Sequence, residues 1–298
     1  MSAVTPPAHT LKADLWLLAT TLLAAAGWIF SKEALAGLAP LQFVSLRFLL
    51  AGVVLLAFAW PQLRRLTAAG LRGALIVGAL FAAAMALWIT GLEHATHIGE
   101  GAFISSLGIV MVPLIGWLLF GERPPRITWV AMPLALLGFA CLSLEQGFRF
   151  EPGQWFFLGA ALVFAVLFTL NSRIVRNVPP LALSAVQVLM VAVLMLPLSL
   201  LLERWPETVA APVVGWLLAS AILATTLRFF VQLRGQSLTS ASHAAVILML
   251  EPMWTALVAA WWFGETMSAQ QFLGCALIFS ALVLSRWRWV RDLLRSLG

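Results

Sequence analysis

The sequence predicts an all-α integral membrane protein whose ten transmembrane helices form two inverted five-helix repeats. Three observations lead to this fold: the composition, the spacing of the apolar runs and a segment that occurs nearly twice. Hydrophobic residues make up 62% and charged residues 10% of the 298 residues, whereas soluble domains have roughly 45–50% and about 25%. A soluble core cannot bury so much apolar surface, so the chain must be surrounded largely by lipid.

Ten apolar runs can be marked along the chain, each close to the ~20 residues that cross a hydrocarbon core about 30 Å thick. Short connections separate them, and many contain proline, a residue that starts or stops helices. The runs cover approximately residues 13–31, 40–60, 70–91, 98–120, 127–144, 153–172, 179–202, 212–235, 241–263 and 269–287. The predicted breaks are Pro61, Pro124-Pro125, Pro152, Pro179-Pro180 and Pro206.

The loop charges support ten spans and give their orientation. With ten spans, both ends of the chain and the loops after even-numbered spans share one side, which holds thirteen of the eighteen Lys and Arg residues. The other side holds Lys32, Arg149 and Arg204, and two arginines lie within spans. By the positive-inside rule, both termini are predicted to be cytoplasmic. The first run has Ala24-Ala25-Ala26, similar to a signal-peptide cleavage site, but further spans follow at once and favour a transmembrane helix.

Residues 96–122 are repeated, in altered form, at residues 239–265. The two segments align without gaps at a shift of 143, and each ends in the triplet Phe-Gly-Glu. Further matches at a shift of 139 are Trp16 with Trp155, Pro40 with Pro179 and Ser45 with Ser184. Runs one to five therefore correspond to runs six to ten, which predicts two domains, 1–150 and 151–298. Five spans is an odd number, so the second repeat enters the membrane inverted, as in many transporters.

Three charged residues lie deep within spans, away from the ends of the runs: Arg47 in the second, Arg228 in the eighth and Glu251 in the ninth. Each costs about 2.5–3.5 kcal/mol at a helix centre, so each is expected to face protein or water. Counting 1.5 Å per residue from the cytoplasmic ends places Arg228 and Glu251 within reach of one another. We predict that they pair, with Arg47 as the competing partner. A structural ion pair or a snorkelling arginine is the alternative to a substrate role.

The intramembrane charges have no counterpart in the other repeat. The aligned pairs are Arg47 with Val186, Arg228 with Met85, Glu251 with Gly108 and His243 with Glu100. A symmetric fold that binds an asymmetric molecule is expected to break its symmetry at the site, although independent drift of the repeats gives a similar pattern. Polar and aromatic residues deep in the runs complete the set, with interhelical packing as their alternative role. The substrate-binding candidates are Trp28, Arg47, Trp88, Ser105, Asn171, Arg228, Gln232, His243 and Glu251.

Two prolines are predicted to act as hinges. Pro252 follows Glu251 in the ninth span and frees the carbonyl of Leu248 from its helical hydrogen bond. Pro113 occupies the corresponding fourth span but has no acid beside it. The Glu251-Pro252 pair is consistent with a hinge, a proton site or both, and we favour the hinge.

The sequence predicts no cofactor and no metal site. It contains no Gly-x-x-x-x-Gly-Lys-Ser/Thr loop, no His-Glu-x-x-His and no Gly-x-Ser-x-Gly motif, so neither an ATPase nor a hydrolase is indicated. The histidines and glutamates within residues 93–100 have a spacing that permits a metal site, but a solvated acidic loop is preferred. Cys141 and Cys275 lie inside apolar runs and are interpreted as small core residues. The arginines lie in short loops, which argues against a nucleic-acid partner.

Several of these features resemble the EamA branch of the drug/metabolite transporter superfamily. The resemblance covers essentially the whole chain and rests on the inverted duplication, on Pro40 with Arg47-Phe48, and on Phe-Gly-Glu at the ends of the fourth and ninth spans. The segment from Gln232 to Glu251-Pro252 adds to it. The resemblance implies a bacterial inner-membrane carrier with a central cavity and alternating access. Members commonly export amino acids and other small metabolites, and one exports aromatic amino acids.

The leading hypothesis is an exporter of small, partly apolar metabolites, with aromatic and apolar amino acids first. Its expected partners are a small-molecule substrate and the lipid bilayer, as a monomer or homodimer and without an ATPase subunit. Alternatives within transport are a vitamin, a nucleoside-like metabolite or a lipid-like amphiphile, and a proton-coupled variant that uses Glu251. A non-transporting membrane scaffold subunit is the alternative from another class, and no motif supports an intramembrane enzyme.

Overall fold

The computed structural model describes residues 9–93, 98–143, 152–264 and 268–285. Every regular element in these ranges is helical. In chain order the helices are α1 (His9–Ala34), α2 (Pro40–Leu63), α3 (Ala68–Glu93), α4 (Ile98–Phe120), α5 (Thr128–Ser143), α6 (Pro152–Ile174), α7 (Pro180–Leu202), α8 (Ala211–Ala221), a π segment (Ile222–Leu227), α9 (Arg228–Ser237), α10 (Ala241–Leu248), α11 (Glu251–Phe263) and α12 (Ala269–Ser285).

Each predicted span is helical, and the all-α membrane fold is confirmed. The eighth span consists of α8, the π segment and α9, and the ninth consists of α10 and α11. The predicted break at Pro61 is wrong, because α2 runs through this residue to Leu63. Pro61 removes one helical hydrogen bond, to the Ala57 carbonyl, and the helix ends two residues later. The Arg64 N–H donates to the Trp60 carbonyl at 3.1 Å.

Six helical stretches in the described ranges are long and apolar enough to cross a membrane. They are Leu11–Ala34, Pro40–Leu63, Ala68–Gly91, Gly153–Ile174, Pro180–Leu202 and Ala211–Ser237. Shorter apolar helices accompany them at Leu107–Phe120, Thr128–Cys141 and Ala269–Ala281. Large apolar side chains cover the exterior, and Phe58, Leu201 and Trp261 expose 70%, 81% and 78% of their surfaces. Such an exterior suits a lipid environment.

The helices pack with an internal symmetry between the two halves. The second span packs on the seventh, α2 on α7, and the fifth packs on the tenth, α5 on α12. The first span contacts the eighth and ninth, just as α6 contacts α3 and α4. These pairings are unchanged when each helix is exchanged with the one five spans later, as expected of two repeats that share one interface.

The duplicated Phe-Gly-Glu triplets mark equivalent helix ends. Gly121 and Gly264 follow α4 and α11 with φ values of 66° and 65°, the two positive φ angles among the described residues. This left-handed conformation favours glycine and terminates a helix. The Gly121 N–H donates to the Trp117 carbonyl at 2.9 Å. Glu122 pairs with Arg173 at 2.9 Å, while Glu265 lies outside the described residues.

A carboxylate from the second half anchors the start of α2. The two Glu203 oxygens accept the backbone N–H groups of Leu41 at 2.8 Å and Gln42 at 2.7 Å. These N–H groups belong to the first turn, where no helical carbonyl can reach them. The Gln42 amide donates in return to the Arg204 carbonyl at 2.7 Å. This reciprocal contact fixes α2 against the end of α7 and so positions Arg47 farther along α2.

Candidate functional site

Arg228 and Glu251 form the predicted pair. The Arg228 Nη2 lies 3.3 Å from Glu251 Oε2, and the two side chains are 22% and 21% exposed. The guanidinium also lies 5.2 Å from the centre of the Phe229 ring. The buried Arg228 Nε has no hydrogen-bond partner in the structure. The pair is therefore only partly satisfied and only partly buried.

Glu251 stands where the ninth span is interrupted. α10 ends at Leu248, Met249 and Leu250 form a turn, and α11 begins at Glu251. Pro252 explains the interruption, since its nitrogen cannot donate to the carbonyl of Leu248. A carboxylate in the first turn of α11 also faces the positive end of the helix dipole. The sequence thus places an acid at a helix start inside the apolar region.

Arg228 follows a π segment, in which the eighth span is widened. The Thr225 hydroxyl donates to the Ser220 carbonyl at 3.0 Å, and the Thr226 hydroxyl donates to the Ala221 carbonyl at 2.9 Å. Both bonds span five residues. Single-turn π bulges occur often at functional sites. Here the widened turn presents the Ala224 carbonyl and the Thr225 hydroxyl to α2.

Those two groups hold Arg47. Its Nε donates to Thr225 Oγ1 at 2.5 Å, its Nη2 to the Ala224 carbonyl at 3.2 Å and its Nη1 to Ser31 Oγ at 3.3 Å. All three acceptors are neutral. Arg47 was the competing partner for Glu251, but it makes no ion pair among the described residues. Its guanidinium therefore ties α1, α2 and the π segment together without a counter-ion in contact.

A glycine makes this close approach possible. A Cβ on Gly27 would lie 2.7 Å from the Ala224 Cβ, closer than such atoms pack. Ser31, one turn along α1, donates its hydroxyl to the Gly27 carbonyl at 2.6 Å and so leaves its lone pairs to Arg47. The small residue thus lets the π segment lie directly on α1.

Phenylalanine rings surround the two arginines. Phe43 and Phe48 lie 5.7 and 5.8 Å from the Arg47 guanidinium. Contacts of 5.2 to 6.3 Å between ring centres join a four-ring cluster. Its members are Phe48 of α2, Phe81 of α3, Phe164 of α6 and Phe229 of α9. The cluster connects helices from both halves beside the charges.

Two other candidates are engaged elsewhere. Asn171 exchanges amide hydrogen bonds with Gln187 of α7, at 2.6 and 3.4 Å. This buried pair joins α6 to α7. His243 Nε2 lies 2.8 Å from Asp14 Oδ1, so it connects the start of α10 to α1 rather than to Glu251.

The remaining candidates differ in their surroundings. The Ser105 hydroxyl and the Gln232 carbonyl oxygen are buried without a hydrogen-bond partner in the described part of the chain. Gln232 lies one turn after Arg228 on α9. Trp88 is half-buried and Trp28 is exposed.

The proline candidates also differ. α4 is continuous through Pro113, whereas the ninth span is interrupted immediately before Pro252. A continuous helix does not exclude bending, so both hinges stay predictions. His94 and His97 lie outside the described residues.

Sequence reasoning did not assign the groups that hold Arg47. Thr225 and Ser31 lie within spans, where polar side chains commonly make interhelical hydrogen bonds, and the Ala224 carbonyl has no sequence signal. Trp254, one turn after Glu251, has a buried indole N–H without a partner in the described part of the chain. Like Trp28 and Trp88, it lies away from the ends of its run, so a cavity-lining role is an alternative to packing. An unusual tryptophan depth within the ninth span was the only available sign of it.

The mismatch between Gly108 and Glu251 has a packing reason in the first half. A Cβ on Gly108 would lie 2.8 Å from the Ala161 carbonyl oxygen of α6. α4 therefore contacts the α6 backbone at this point and leaves no room for a side chain. The equivalent point of the ninth span lies at the interruption, where Glu251 is accommodated.

Comparison with known proteins agrees with this architecture. The EamA-like transporter family matches the chain twice, over residues 11–144 and 151–287. The transporter YwfM of Bacillus subtilis is 29% identical over 82% of this chain and 83% of its own length. A transporter of Archaeoglobus fulgidus is 28% identical over 92% of this chain and 85% of its own. The inner membrane transporter YedA of Escherichia coli K12 is 27% identical over 82% and 81%.

A solved crystal structure shares the fold, with a TM-score of 0.81 over 94% of this chain and 98% of the other, at 20% sequence identity. Two family matches cover both halves of the chain, and the relatives are named as transporters rather than enzymes. The chain therefore belongs to the EamA-like transporter family and is a multi-pass membrane transporter of the drug/metabolite type.

Proposed function

We propose that the chain exports small metabolites, with aromatic and apolar amino acids first, by alternating access through the region around Arg47, Arg228 and Glu251. One observation carries the proposal: three charges from α2, α9 and α11 gather where two helices depart from regular α geometry. Charged groups inside a membrane are costly and commonly mark substrate pathways. Discontinuous helices form substrate sites in many transporters.

The chemistry of the region fits an amino acid. A guanidinium binds a carboxylate, a carboxylate binds an ammonium group, and aromatic rings accept an apolar side chain. Arg47 and Arg228 supply the guanidinium groups, Glu251 supplies the carboxylate, and the phenylalanine cluster supplies the aromatic rings. We propose that the eighth span bends at the π segment and the ninth span at the interruption before Pro252, as the two halves move relative to each other during alternating access.

The test is efflux of labelled phenylalanine from loaded proteoliposomes. We expect faster efflux than from protein-free liposomes, and competition by leucine. The matched control is protein carrying both Arg228→Gln and Glu251→Gln, which leaves the net charge of the site unchanged but removes the ion pair. If phenylalanine leaves no faster than from empty liposomes, amino acids are the wrong substrate class.

A proton-coupled form of this mechanism uses Glu251. Glu251 contacts Arg228 at 3.3 Å. In this form of the mechanism, the Glu251 carboxylate takes up a proton on one side of the membrane and releases it on the other. Under this form, Glu251→Gln abolishes flux driven by a pH gradient and spares substrate exchange. Unchanged dependence on the pH gradient rules it out.

The bacterial inner membrane is the proposed location, with both termini in the cytoplasm. The loop charges support this orientation. The name of the Escherichia coli relative, an inner membrane transporter, supports the location.

A further inference from the structure

We infer that Arg47 binds the carboxylate of the substrate, and that the site therefore selects small apolar monoanions and requires no ammonium group. The proposal rests on the proposed function, since it uses the same site, but it requires recognition of a different set of substrate groups. An amino-acid exporter needs both the carboxylate and the ammonium group to be recognised. A monoanion site needs only the first.

The charges of the site do not balance. Arg47 and Arg228 contribute two positive charges and Glu251 one negative charge. Glu251 contacts Arg228 at 3.3 Å, while Arg47 contacts only neutral oxygens. An excess positive charge among apolar helices is unfavourable without an anion. A singly charged anion is the ligand that brings the sum to zero.

The hydrogen-bond capacity of Arg47 points to the same ligand. A guanidinium has five N–H donors, and three of them are used within the protein. Nη1 and Nη2 each keep one N–H without a partner in the described part of the chain. Two donors on one planar group match the two oxygens of a carboxylate, which is why arginine binds carboxylates so well. The unpartnered Nε of Arg228 adds a third donor nearby.

Arg47 and Arg228 lie close enough to act on one ligand. Arg47 binds the carbonyl of Ala224, and Arg228 follows Ala224 by about one turn of the same helical span. The ring of Phe48, next to Arg47, lies 6.2 Å from the ring of Phe229, next to Arg228. The two arginines thus lie beside the largely buried phenylalanine cluster, an apolar environment that suits a monoanion with an aromatic or branched apolar body.

The protein also prepares Arg47 for binding. Three hydrogen bonds from α1 and the π segment fix the guanidinium, so little side-chain freedom remains to be lost when a ligand binds. If Arg47 only joined the helices, the protein would be expected to show no preference for anions. A preference for anions therefore distinguishes a substrate-binding role of Arg47 from a structural one.

The experiment measures binding of four related probes to the full-length protein in nanodiscs, by isothermal titration. The probes are 3-phenylpropionate, its neutral analogue 3-phenylpropionamide, phenethylamine, and phenylalanine. We expect 3-phenylpropionate to bind at least about tenfold more tightly than the amide, since the amide replaces a charge-assisted contact with a neutral one. Phenethylamine, which has no carboxylate, is expected not to bind measurably.

Two variants locate the preference. Arg47→Gln is expected to bind the acid and the amide with equal affinity, and Arg47→Lys to keep part of the preference because it keeps the charge. Arg65→Gln changes an exposed arginine at the end of α2 and is expected to retain the full tenfold preference. Size-exclusion profiles and Tm values of all three establish that they are folded.

The outcomes separate this inference from the proposed function. Equal binding of acid and amide by the unchanged protein, or binding of neither, overturns the monoanion site. Tenfold preference that survives Arg47→Gln overturns the assignment to Arg47. Tight binding of 3-phenylpropionate with no binding of phenylalanine supports the monoanion site and refutes amino acids as the substrate.

Discussion

The guanidinium of Arg228 lies 3.3 Å from the carboxylate of Glu251, and each residue begins a helix that resumes after an irregular turn. α9 starts at Arg228 after the π segment, and α11 starts at Glu251 after the Met249-Leu250 turn. The charged contact therefore joins the end of the π segment in the eighth span to the end of the turn in the ninth span. A pair in this position is sensitive to any relative movement of the two spans.

The first prediction concerns the strength of this contact. Glu251→Gln removes the counter-ion of Arg228 and is expected to lower the free energy of unfolding by about 1–2 kcal/mol. That is less than the roughly 3–5 kcal/mol typical of a fully buried pair, because each side chain is about one-fifth exposed. Arg228→Gln together with Glu251→Gln is expected to recover most of this loss. Thermal unfolding in detergent of the unchanged protein, Glu251→Gln, Arg228→Gln and the double variant gives the coupling energy. Additive effects of the two single changes would show that the pair is not coupled.

The second prediction concerns the contact between α1 and the π segment. Gly27→Ala places a Cβ 2.7 Å from the Ala224 Cβ and is expected to lower stability by about 1–3 kcal/mol, as overpacking does. Transport is expected to fall with it, because the acceptors of Arg47 move. The control is Gly215→Ala in α8, where nothing lies within 4 Å and where alanine favours the helix. If both substitutions have the same effect on Tm, close packing at Gly27 is not the cause.

The third prediction concerns the anchor of α2. Glu203→Ala leaves the N–H groups of Leu41 and Gln42 without their acceptors and is expected to cost about 1–2 kcal/mol, as loss of a helix cap does. Glu207→Ala, at an exposed position in the following loop, is the control and is expected to change stability by less than about 0.5 kcal/mol. The measurement is thermal unfolding. A Glu203 variant as stable as the control would mean that water replaces the carboxylate without loss.

The fourth prediction concerns orientation in the membrane. A green fluorescent protein fused to the C-terminus is expected to fluoresce, and an alkaline phosphatase fused at the same place is expected to be inactive, because the phosphatase folds only outside the cytoplasm. A fusion to the loop that contains Arg149 is expected to behave in the opposite way. The reverse pattern of activities would contradict the positive-inside assignment.

Much of the fold was accessible from the sequence, because lipid imposes simple rules. Every span must be helical and close to 20 residues long, so the apolar runs gave the helices. The Phe-Gly-Glu triplets gave matched helix ends, since a left-handed terminal residue favours glycine. The Arg228–Glu251 contact followed from depth alone, because opposite charges at similar depth in a membrane are expected to pair.

The surroundings of Arg47 were not accessible in the same way. A π segment has no sequence signature in an apolar run, so the exposure of the Ala224 carbonyl and the Thr225 hydroxyl could not be predicted. Asn171 was a cavity candidate because its partner, Gln187, lies on another helix at a position that no local pattern connects to it. The phenylalanine cluster was hidden for a different reason, since nineteen phenylalanines in apolar runs look alike until they are packed.

The most direct test of alternating access at this site is counterflow in proteoliposomes. Vesicles are loaded with unlabelled substrate and placed in a trace of the labelled form, with phenylalanine and 3-phenylpropionate used in separate experiments. We expect a transient accumulation of label inside vesicles that contain the unchanged protein, and none with Arg47→Gln. Accumulation of neither substrate by the unchanged protein, or equal accumulation by the Arg47 variant, would contradict it.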